Sequence, residues 1–288
     1  MHSILQLVVN GLIHGSILML AALGLTLVFR ISGFANIAHA ELITLGAYLA
    51  FFFSGTLAMK QAVALPLGAT ATAIVALLIY RLVFAPLGRR SPVTLVIASI
   101  GIGLFLQNLV IFIWGTDQLP YPVPAQRGLS ILGVRVTPVE LWIIGGALVL
   151  MVLVHLLLTQ TRLGKEMRAV ADSQDLARIV GIRPERVVMA MWIIAGGLAA
   201  VAGALVAMKT VVSPYLGWHL LLSAFAATIL GGIGNPYGAM VGAVVMGIAE
   251  EISTLLITPA YRPAIAFAVM TAFLLFRPSG IFGESAGK

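Results

Sequence analysis

Five of the polar or ionisable side chains in the apolar N-terminal part of the chain are candidates for chemistry. They are Asn10, His14, Asn36, His39 and Glu41. Asn10 and His14 stand four residues apart and therefore share one helical face, where they either line a polar pathway or form hydrogen bonds between helices. Ionisable groups surrounded by membrane are costly and are candidate functional groups. His39 and Glu41 are thus candidates for contacting a polar solute or carrying a proton; the structural alternative for Glu41 is an ion pair with Arg30.

A second polar interruption lies near the other end of the chain. It contains Gly231, Gly232, Gly234 and Asn235, followed by Pro236. Both interruptions have the order helix, glycine-containing break, asparagine, helix, which predicts an internal pseudo-symmetry. Short Gly- or Pro-interrupted segments in corresponding positions of two halves indicate a substrate site, whereas Gly-Asn-Pro is also a good turn sequence. The two breaks are therefore candidates either for a translocation pathway or for ordinary cytoplasmic turns.

The third feature is the segment 161–186, which carries ten of the 27 charged residues of the chain. Its apolar residues are interrupted near Asp172, which predicts two short helices. Asp172 or Ser173 is a suitable cap for the second helix, expected over about 174–180. Gly181 suits the left-handed position after its end, and Pro184 suits the first turn of the next helix. A helix this short is not stable alone, so something must support it.

The elements that position these residues are predicted by hydrophobicity. The chain has 288 residues, of which 60% are hydrophobic and 9% charged, and its mean hydropathy is +1.08, whereas soluble domains carry about 25% charged residues. We predict an all-α, polytopic transmembrane protein with one domain over 1–288 and about 8–9 membrane segments, two of them discontinuous or re-entrant. The candidate spans are 4–29, 42–53, 62–84, 93–114, 139–158, 187–212, 220–230, 237–257 and 263–276.

The basic residues predict the orientation. With the N-terminus outside and nine crossings, 12 of the 17 Lys and Arg residues fall inside, together with the C-terminus, and five fall outside, as the positive-inside rule requires. The segment 161–186 is then a cytoplasmic loop and 115–138 an outside loop, whose alternating prolines favour an extended backbone. Glu250 and Glu251 are expected near the outer surface, in contact with solvent.

Several chemistries lack their sequence signals. The chain has no cysteine, no G-x-x-x-x-G-K-[ST] loop and no H-E-x-x-H motif. These absences exclude thiolate chemistry and argue against ATP binding through a P-loop. We therefore expect no cofactor or metal bound by this chain. We also expect no nucleic-acid partner, because a net charge of +7 is explained by basic residues in the loops of a membrane protein. A transporter subunit is favoured over an enzyme; the alternative is a stand-alone ion-coupled secondary transporter or channel that uses Glu41 or His39.

A series of short motifs resembles one family over nearly the whole chain. The charged segment reads Gly164-Lys-Glu-Met-Arg-Ala-Val-Ala-Asp172, then Ala177-Arg-Ile-Val-Gly-Ile182. The others are Gly11-Leu-Ile-His-Gly-Ser16, Ala22-Leu-Gly-Leu-Thr-Leu27, Asn36-Ile-Ala-His39, Gly46-Ala-Tyr48, Ala227-Thr-Ile-Leu-Gly-Gly-Ile-Gly234 and Arg277-Pro-Ser-Gly-Ile-Phe-Gly283. Their order and spacing resemble branched-chain amino acid ABC transporter permeases of the LivH type. The chain departs from that pattern at Ala40, commonly glycine, and at Asn235, often serine.

The resemblance implies an importer subunit in a bacterial inner membrane. Its partners would be a second homologous permease subunit, two cytoplasmic ATPases that bind the ATP and Mg, and a periplasmic substrate-binding protein. The substrates would be branched-chain or related amino acids, with other amino acids, amides and urea also handled in the family. The segment 161–186 would insert its short helix into a groove of the ATPase. The residues of that contact would be Arg168, Asp172, Asp175, Leu176, Arg178, Ile179 and Gly181.

Overall fold

The computed structural model describes residues 2–88, 90–123, 128–131, 133–255, 257–258, 261–277 and 280–282. Three of the basic residues used to predict the orientation lie outside these ranges: Arg89, Arg127 and Lys288. Pro124 of the predicted outside loop also lies outside them. The helices are α1 (His2–Ser32), α2 (His39–Phe51), α3 (Gln61–Ile79), α4 (Ala85–Leu87), α5 (Pro92–Trp114), α6 (Pro138–Gln160), α7 (Arg162–Asp172), α8 (Gln174–Ile179), α9 (Pro184–Lys209), α10 (Leu216–Gly231), α11 (Pro236–Ser253) and α12 (Arg262–Phe276). Two π-helical segments, Phe52–Thr56 and Tyr80–Phe84, continue α2 and α3.

The helices confirm a polytopic, helical membrane protein, because each predicted span falls on a helix. Five helical stretches of the described chain are long and apolar enough to cross a membrane: Ile4–Ser32, Gln61–Leu87, Pro92–Trp114, Pro138–Gln160 and Pro184–Lys209. The helices α10 and α12 are apolar but shorter. The exact number of crossings and the orientation remain predictions.

Two of the long helices form the centre of the bundle. In their most apolar stretches α1 is 83% and α9 72% buried, against 22% for α5 and 17% for α6. The helix α2 packs closely on α9 and α10 because glycines remove the side chains between them. A Cβ on Gly203 or Gly217 would overlap the carbonyl oxygens of Ile43 and Ala40 of α2. These contacts fix the position of α2, which follows the first break.

Small residues also join α10 to α11. Gly238 lies against Gly231, and Gly242 lies against the carbonyl of Ala227. The small-residue spacings of the sequence, Gly238 with Gly242 and Ala199 with Gly203, left open whether they pack within the fold or against another subunit. The contacts of Gly203, Gly238 and Gly242 lie within the fold and allow backbones to approach closely.

The segment 161–186 forms two helices with the predicted break. The hydroxyl of Ser173 accepts a hydrogen bond from the amide of Leu176 and caps α8. Gly181 has φ +85° after the helix ends, and Pro184 begins α9. The segment is bonded to the bundle, because Arg168 donates a hydrogen bond to the Leu158 carbonyl near the end of α6. The sequence therefore predicted this local structure correctly.

The segment 115–138, predicted as an extended outside loop, contains regular secondary structure. The strands β1 (Leu129–Ile131) and β2 (Val134–Val136) form an antiparallel hairpin there. We call the end of the bundle that carries this hairpin the hairpin end, and the opposite end, which carries 161–186, the coupling end. Arg135, Lys209 and Arg262 lie at the hairpin end.

Candidate functional site

The first break lies deep within the bundle. The backbone leaves α1 through Gly33, whose φ is +73°, and becomes helical again only at His39. The ring of His39 contacts Gly24, and its Nε2 lies 3.1 Å from the carbonyl oxygen of Ala21. Ala21 precedes the end of α1 by eleven residues, which corresponds to about 16 Å of helix. The chain therefore turns back into the bundle before α2 begins.

This break holds polar atoms that have no partner. Asn36, His39 and Glu41 are fully buried. Within the described residues, the two side-chain polar atoms of Asn36, Nδ1 of His39 and both carboxylate oxygens of Glu41 make no hydrogen bond. An unsatisfied buried polar atom costs roughly 1–3 kcal/mol. Five such atoms within six residues are expensive for a purely structural turn, whereas a polar solute or water would satisfy them.

The surroundings of Glu41 differ from the ion pair considered from the sequence. Arg30 is exposed and lies beside Gly234, and none of the ion pairs of the described chain joins it to Glu41. Thr44 and Trp218 are the polar side chains beside the carboxylate, yet neither reaches it with hydrogen-bonding geometry. The Arg30–Glu41 pair was thus a wrong expectation, because α2 begins well inside the bundle while Arg30 stays at its end.

The second break has a different environment. The side-chain oxygen of Asn235 accepts hydrogen bonds from the amides of Tyr237 and Gly238, 3.0 and 3.1 Å away, and caps α11. Its Nδ2 donates to the carbonyl of Phe282, and Gly234 faces Arg30. This break is therefore a capped turn at the coupling end.

The glycines of the second break support the same turn. Gly232 and Gly234 have positive φ values of +108° and +82°, and Gly231 packs on α11. No hydrogen bond of the described residues joins Asn235 to Asn36. The predicted pseudo-symmetry does not extend to their environments: the side-chain polar atoms of Asn36 are buried without partners, whereas Asn235 is a helix cap.

Asn10 and His14 belong to a charged cluster at the hairpin end. Nε2 of His14 lies 3.0 Å from a carboxylate oxygen of Glu250, and Nδ2 of Asn10 donates to Glu251 over 3.4 Å. Glu251 also pairs with Arg262 at 2.7 Å. Glu250 and Glu251 are buried, so the expectation that both are solvated was wrong. Of the two interpretations of Asn10 and His14, the structure shows bonding between helices α1 and α11.

The predicted coupling residues lie on α7, on α8 and directly after α8, and those of α8 occupy two faces of that helix. Leu176, Ile179 and Val180 project from the bundle and are 65%, 80% and 73% exposed. Ala177 is buried on the opposite face, and Arg178 turns back to pair with Glu185 at 2.7 Å. Arg168 is exposed and donates to the Leu158 carbonyl near the end of α6. Asp172 ends α7, Asp175 lies in the first turn of α8, and Gly181 follows α8.

Residues of α5 and α10 complete the buried break, and sequence reasoning did not identify them. The hydroxyl of Ser99 accepts a hydrogen bond from the amide of Ile37 over 3.1 Å. Gly103 faces the side chain of Glu41, since a Cβ built on it would lie 3.9 Å from Cγ of Glu41, and Trp218 lies beside the Glu41 carboxylate. Ser99 and Gly103, four residues apart, interrupt the apolar sequence of α5 on one face, which is the signal that could have marked them.

Comparison with known proteins assigns the family. The family model described as "Branched-chain amino acid transport system / permease component" matches residues 7–274. The high-affinity branched-chain amino acid transport system permease protein BraD of Pseudomonas aeruginosa is 32% identical over 97% of this chain and 96% of its own. LivH of Escherichia coli K12, a permease protein of the same description, is 30% identical with the same coverage.

The fold has a solved counterpart. PsaBC from Streptococcus pneumoniae, solved in complex with Fab, superposes with a TM-score of 0.51 over 95% of this chain and 92% of that chain, at 12% identity. At that identity the likeness concerns the fold alone. The family match and the relatives, each covering nearly the whole chain, confirm the resemblance first seen in the motifs. The chain belongs to the branched-chain amino acid transport system permease family.

Proposed function

We propose that this chain is the membrane-spanning permease subunit of an ATP-binding-cassette importer that moves branched-chain or related amino acids into the cytoplasm. A separate ATPase, holding ATP and Mg, drives it through α8, and the coupling end faces the cytoplasm of a bacterial inner membrane. Two ATPase copies, a second homologous permease subunit and a periplasmic substrate-binding protein complete the assembly. BraD and LivH, by their names, belong to transport systems for these amino acids.

The exposed apolar face of α8 is the observation that carries the proposal. Three large apolar side chains are exposed here: Leu176 and Ile179 of the six-residue helix α8, and Val180, which directly follows it. The helix begins at its Ser173 cap, and its Arg178 forms an exposed ion pair with Glu185 of α9. A helix presenting apolar anchors fits a hydrophobic groove of a partner. An exposed apolar group of this kind at the charged end of a membrane protein indicates a protein interface.

The contacts of 161–186 supply a route from the ATPase to the break. Arg168 and Gly164 pack α7 on the end of α6, so α6 would follow a displaced α7. Nε2 of Gln174, in the first turn of α8, lies 3.4 Å from the carbonyl oxygen of Ile31. Ile31 immediately precedes the last residue of α1. Movement of α8 would therefore act on the backbone that leads into the break.

The break itself is the best candidate for the pathway. Asn36, His39 and Glu41 offer amide, imidazole and carboxylate groups that the fold leaves unsatisfied, and a solute with both an ammonium and a carboxylate can use such groups. Ser99 and Trp218 are added to the pathway candidates because they lie against this segment. Asn10, His14 and the second break, which bond within the fold, have structural roles in this proposal.

Substitution of α8 tests the proposal directly. The ATPase of the same transporter should co-purify with the chain in detergent, and Ile179→Asp should abolish this, because a carboxylate would be buried in the groove. Arg162→Asp is the matched control: it changes charge on neighbouring α7, at a side chain that is 92% exposed. In proteoliposomes the wild-type assembly should take up labelled leucine only with ATP.

The rival secondary transporter makes a different prediction. In it, Glu41 or His39 would carry a proton, and the chain alone would suffice. Uptake of leucine by the purified chain in vesicles, driven by an imposed proton gradient without ATPase or ATP, would contradict the importer. ATPase binding that survives Ile179→Asp unchanged would contradict the role given to α8.

A further inference from the structure

A cavity of about 520 Å³ opens at the coupling end, between α8 and the bundle. Its walls come from the ends of α1 and α3, the start of α5, and the facing sides of α8 and α9. Small-molecule sites in proteins have volumes of roughly 300–1,000 Å³, with mainly apolar walls and a few placed polar groups. The cavity has a volume in that range.

One wall of the cavity is a continuous stack of aromatic rings. Phe34 stacks on Phe84 with centroids 5.2 Å apart, and Phe84 stacks on Trp192 at 4.9 Å. Tyr80 stacks on the same Trp192 at 5.9 Å. The π-helical segment that contains both Tyr80 and Phe84 directs the two rings to this side, and π-helical turns recur at functional sites. Nε1 of Trp192 is buried and has no hydrogen-bond partner among the described residues.

The cavity also holds charges of both signs. Arg90, Arg178 and Glu185 line it. Arg178 and Glu185 lie 2.7 Å apart and are at least half exposed, so their pair is worth little and can exchange for a ligand. Two guanidinium groups suit a carboxylate, and the neighbouring Glu185 and aromatic faces suit an ammonium group. A phosphate headgroup would instead be placed against Glu185, which disfavours an anionic lipid.

We propose that this cavity binds a free α-amino acid with an apolar side chain, entering from the coupling end. The carboxylate contacts Arg90 and Arg178, the ammonium group contacts Glu185, and the side chain lies on the rings of Phe84 and Trp192. The choice of amino acid rests on the proposed function, whereas the cavity and its charges do not. The site is separate from the pathway candidates Asn36, His39 and Glu41.

A ligand in this cavity would contact the face of α8 that is turned toward the bundle. Gln174 and Arg178 of α8 line the cavity, whereas Leu176, Ile179 and Val180 face away from the bundle. The ligand and the ATPase would thus use opposite faces of one helix. An imported amino acid that accumulates at the coupling end would hold α8 against α9 and restrain its motion, which amounts to product feedback on transport.

Binding of labelled L-leucine to the full-length chain in phosphatidylcholine nanodiscs tests the site without transport. We expect saturable binding that Arg90→Gln weakens at least about tenfold, because a hydrogen bond between charged groups is lost. Arg162→Gln, on exposed α7, should bind as wild type. Leucinamide, which lacks the carboxylate, should not compete. Leucine should also slow hydrogen exchange of the amides of 174–182, since a restrained α8 opens less often.

A second variant is needed because Arg90→Gln could lose binding simply by misfolding. Ala85 is exposed at the rim of the cavity, so Ala85→Trp should fill the cavity without disturbing the core, and it should also abolish binding. Equal binding by Arg90→Gln and Arg162→Gln, or absence of saturable binding, would overturn the proposal. Displacement of bound leucine by phosphatidylglycerol, added to the nanodiscs in a parallel preparation, would also overturn it. ATP-driven leucine uptake without this binding would refute the cavity site alone, and binding without uptake would refute the proposed function alone.

Discussion

Two alanine substitutions on α9 should change stability in opposite directions. At Gly203 a Cβ would lie 2.9 Å from the carbonyl carbon of Ile43 and closer still to its oxygen, whereas carbon atoms in contact are about 3.5–4.0 Å apart. The helices α2 and α9 would have to separate, and overpacking of this kind costs typically 1–3 kcal/mol. At Gly197 nothing lies within 4 Å of the new Cβ, so only the gain in helix propensity remains, up to about 1 kcal/mol.

Because Gly203→Ala gains the same helix propensity, the two variants should differ by the overpacking cost alone. Gly203→Ala should therefore be less stable than Gly197→Ala by about 2 kcal/mol, or about 4–8 °C in unfolding temperature. Both variants and the wild type would be unfolded in one detergent at one heating rate, because unfolding of such proteins is often irreversible. Leucine uptake should fall in Gly203→Ala, since α2 carries His39 and Glu41 in its first turn. If Gly203→Ala unfolds at or above the temperature of Gly197→Ala, the close packing of α2 described above is wrong.

Three further substitutions test other parts of the structure. Glu41→Gln keeps the shape of a buried carboxylate without its charge; uptake of leucine should drop at least about tenfold while stability is retained, and Glu166→Gln on α7 should transport normally. Arg262→Gln removes the partner of the buried Glu251 and should cost about 2 kcal/mol, measured by thermal unfolding, because the charge left behind is largely shielded from water. Ser173→Ala removes the cap of α8 at a cost of about 1 kcal/mol, which should appear as faster hydrogen exchange over 174–180. Unchanged exchange there would show that the rest of the segment holds α8 without its cap.

Local features were predictable from the sequence. Hydrophobicity located the five long apolar helices of the described chain. The Ser173 cap, Gly181 after α8 and Pro184 at the start of α9 were predictable because each rests on the conformational preference of a single residue. The break after α1 was predictable for the same reason, since Gly33 adopts positive φ.

Long-range contacts were not predictable in the same way. Glu250 and Glu251 are charged residues near a helix end, and only the arrival of α1 and α12 buries them. Arg30 and Glu41 are close in sequence but are separated because the backbone turns back along α1 between them. The two breaks read alike as patterns, yet Asn235 finds backbone amides to cap and Asn36 finds none. Such outcomes depend on which helix packs against the segment.

The helix α5 connects the two sites of the molecule. Leu95 lines the cavity, Ser99 accepts a hydrogen bond from the backbone of the break, and Gly103 faces Ala38 and Glu41. These residues are spaced by four, so they form one stripe about 12 Å long, at 1.5 Å per residue. The rest of α5 is largely exposed, and an element with few buried contacts moves at the least cost. A small displacement of α5 would therefore change its contacts with the buried polar break and with the cavity at the coupling end together.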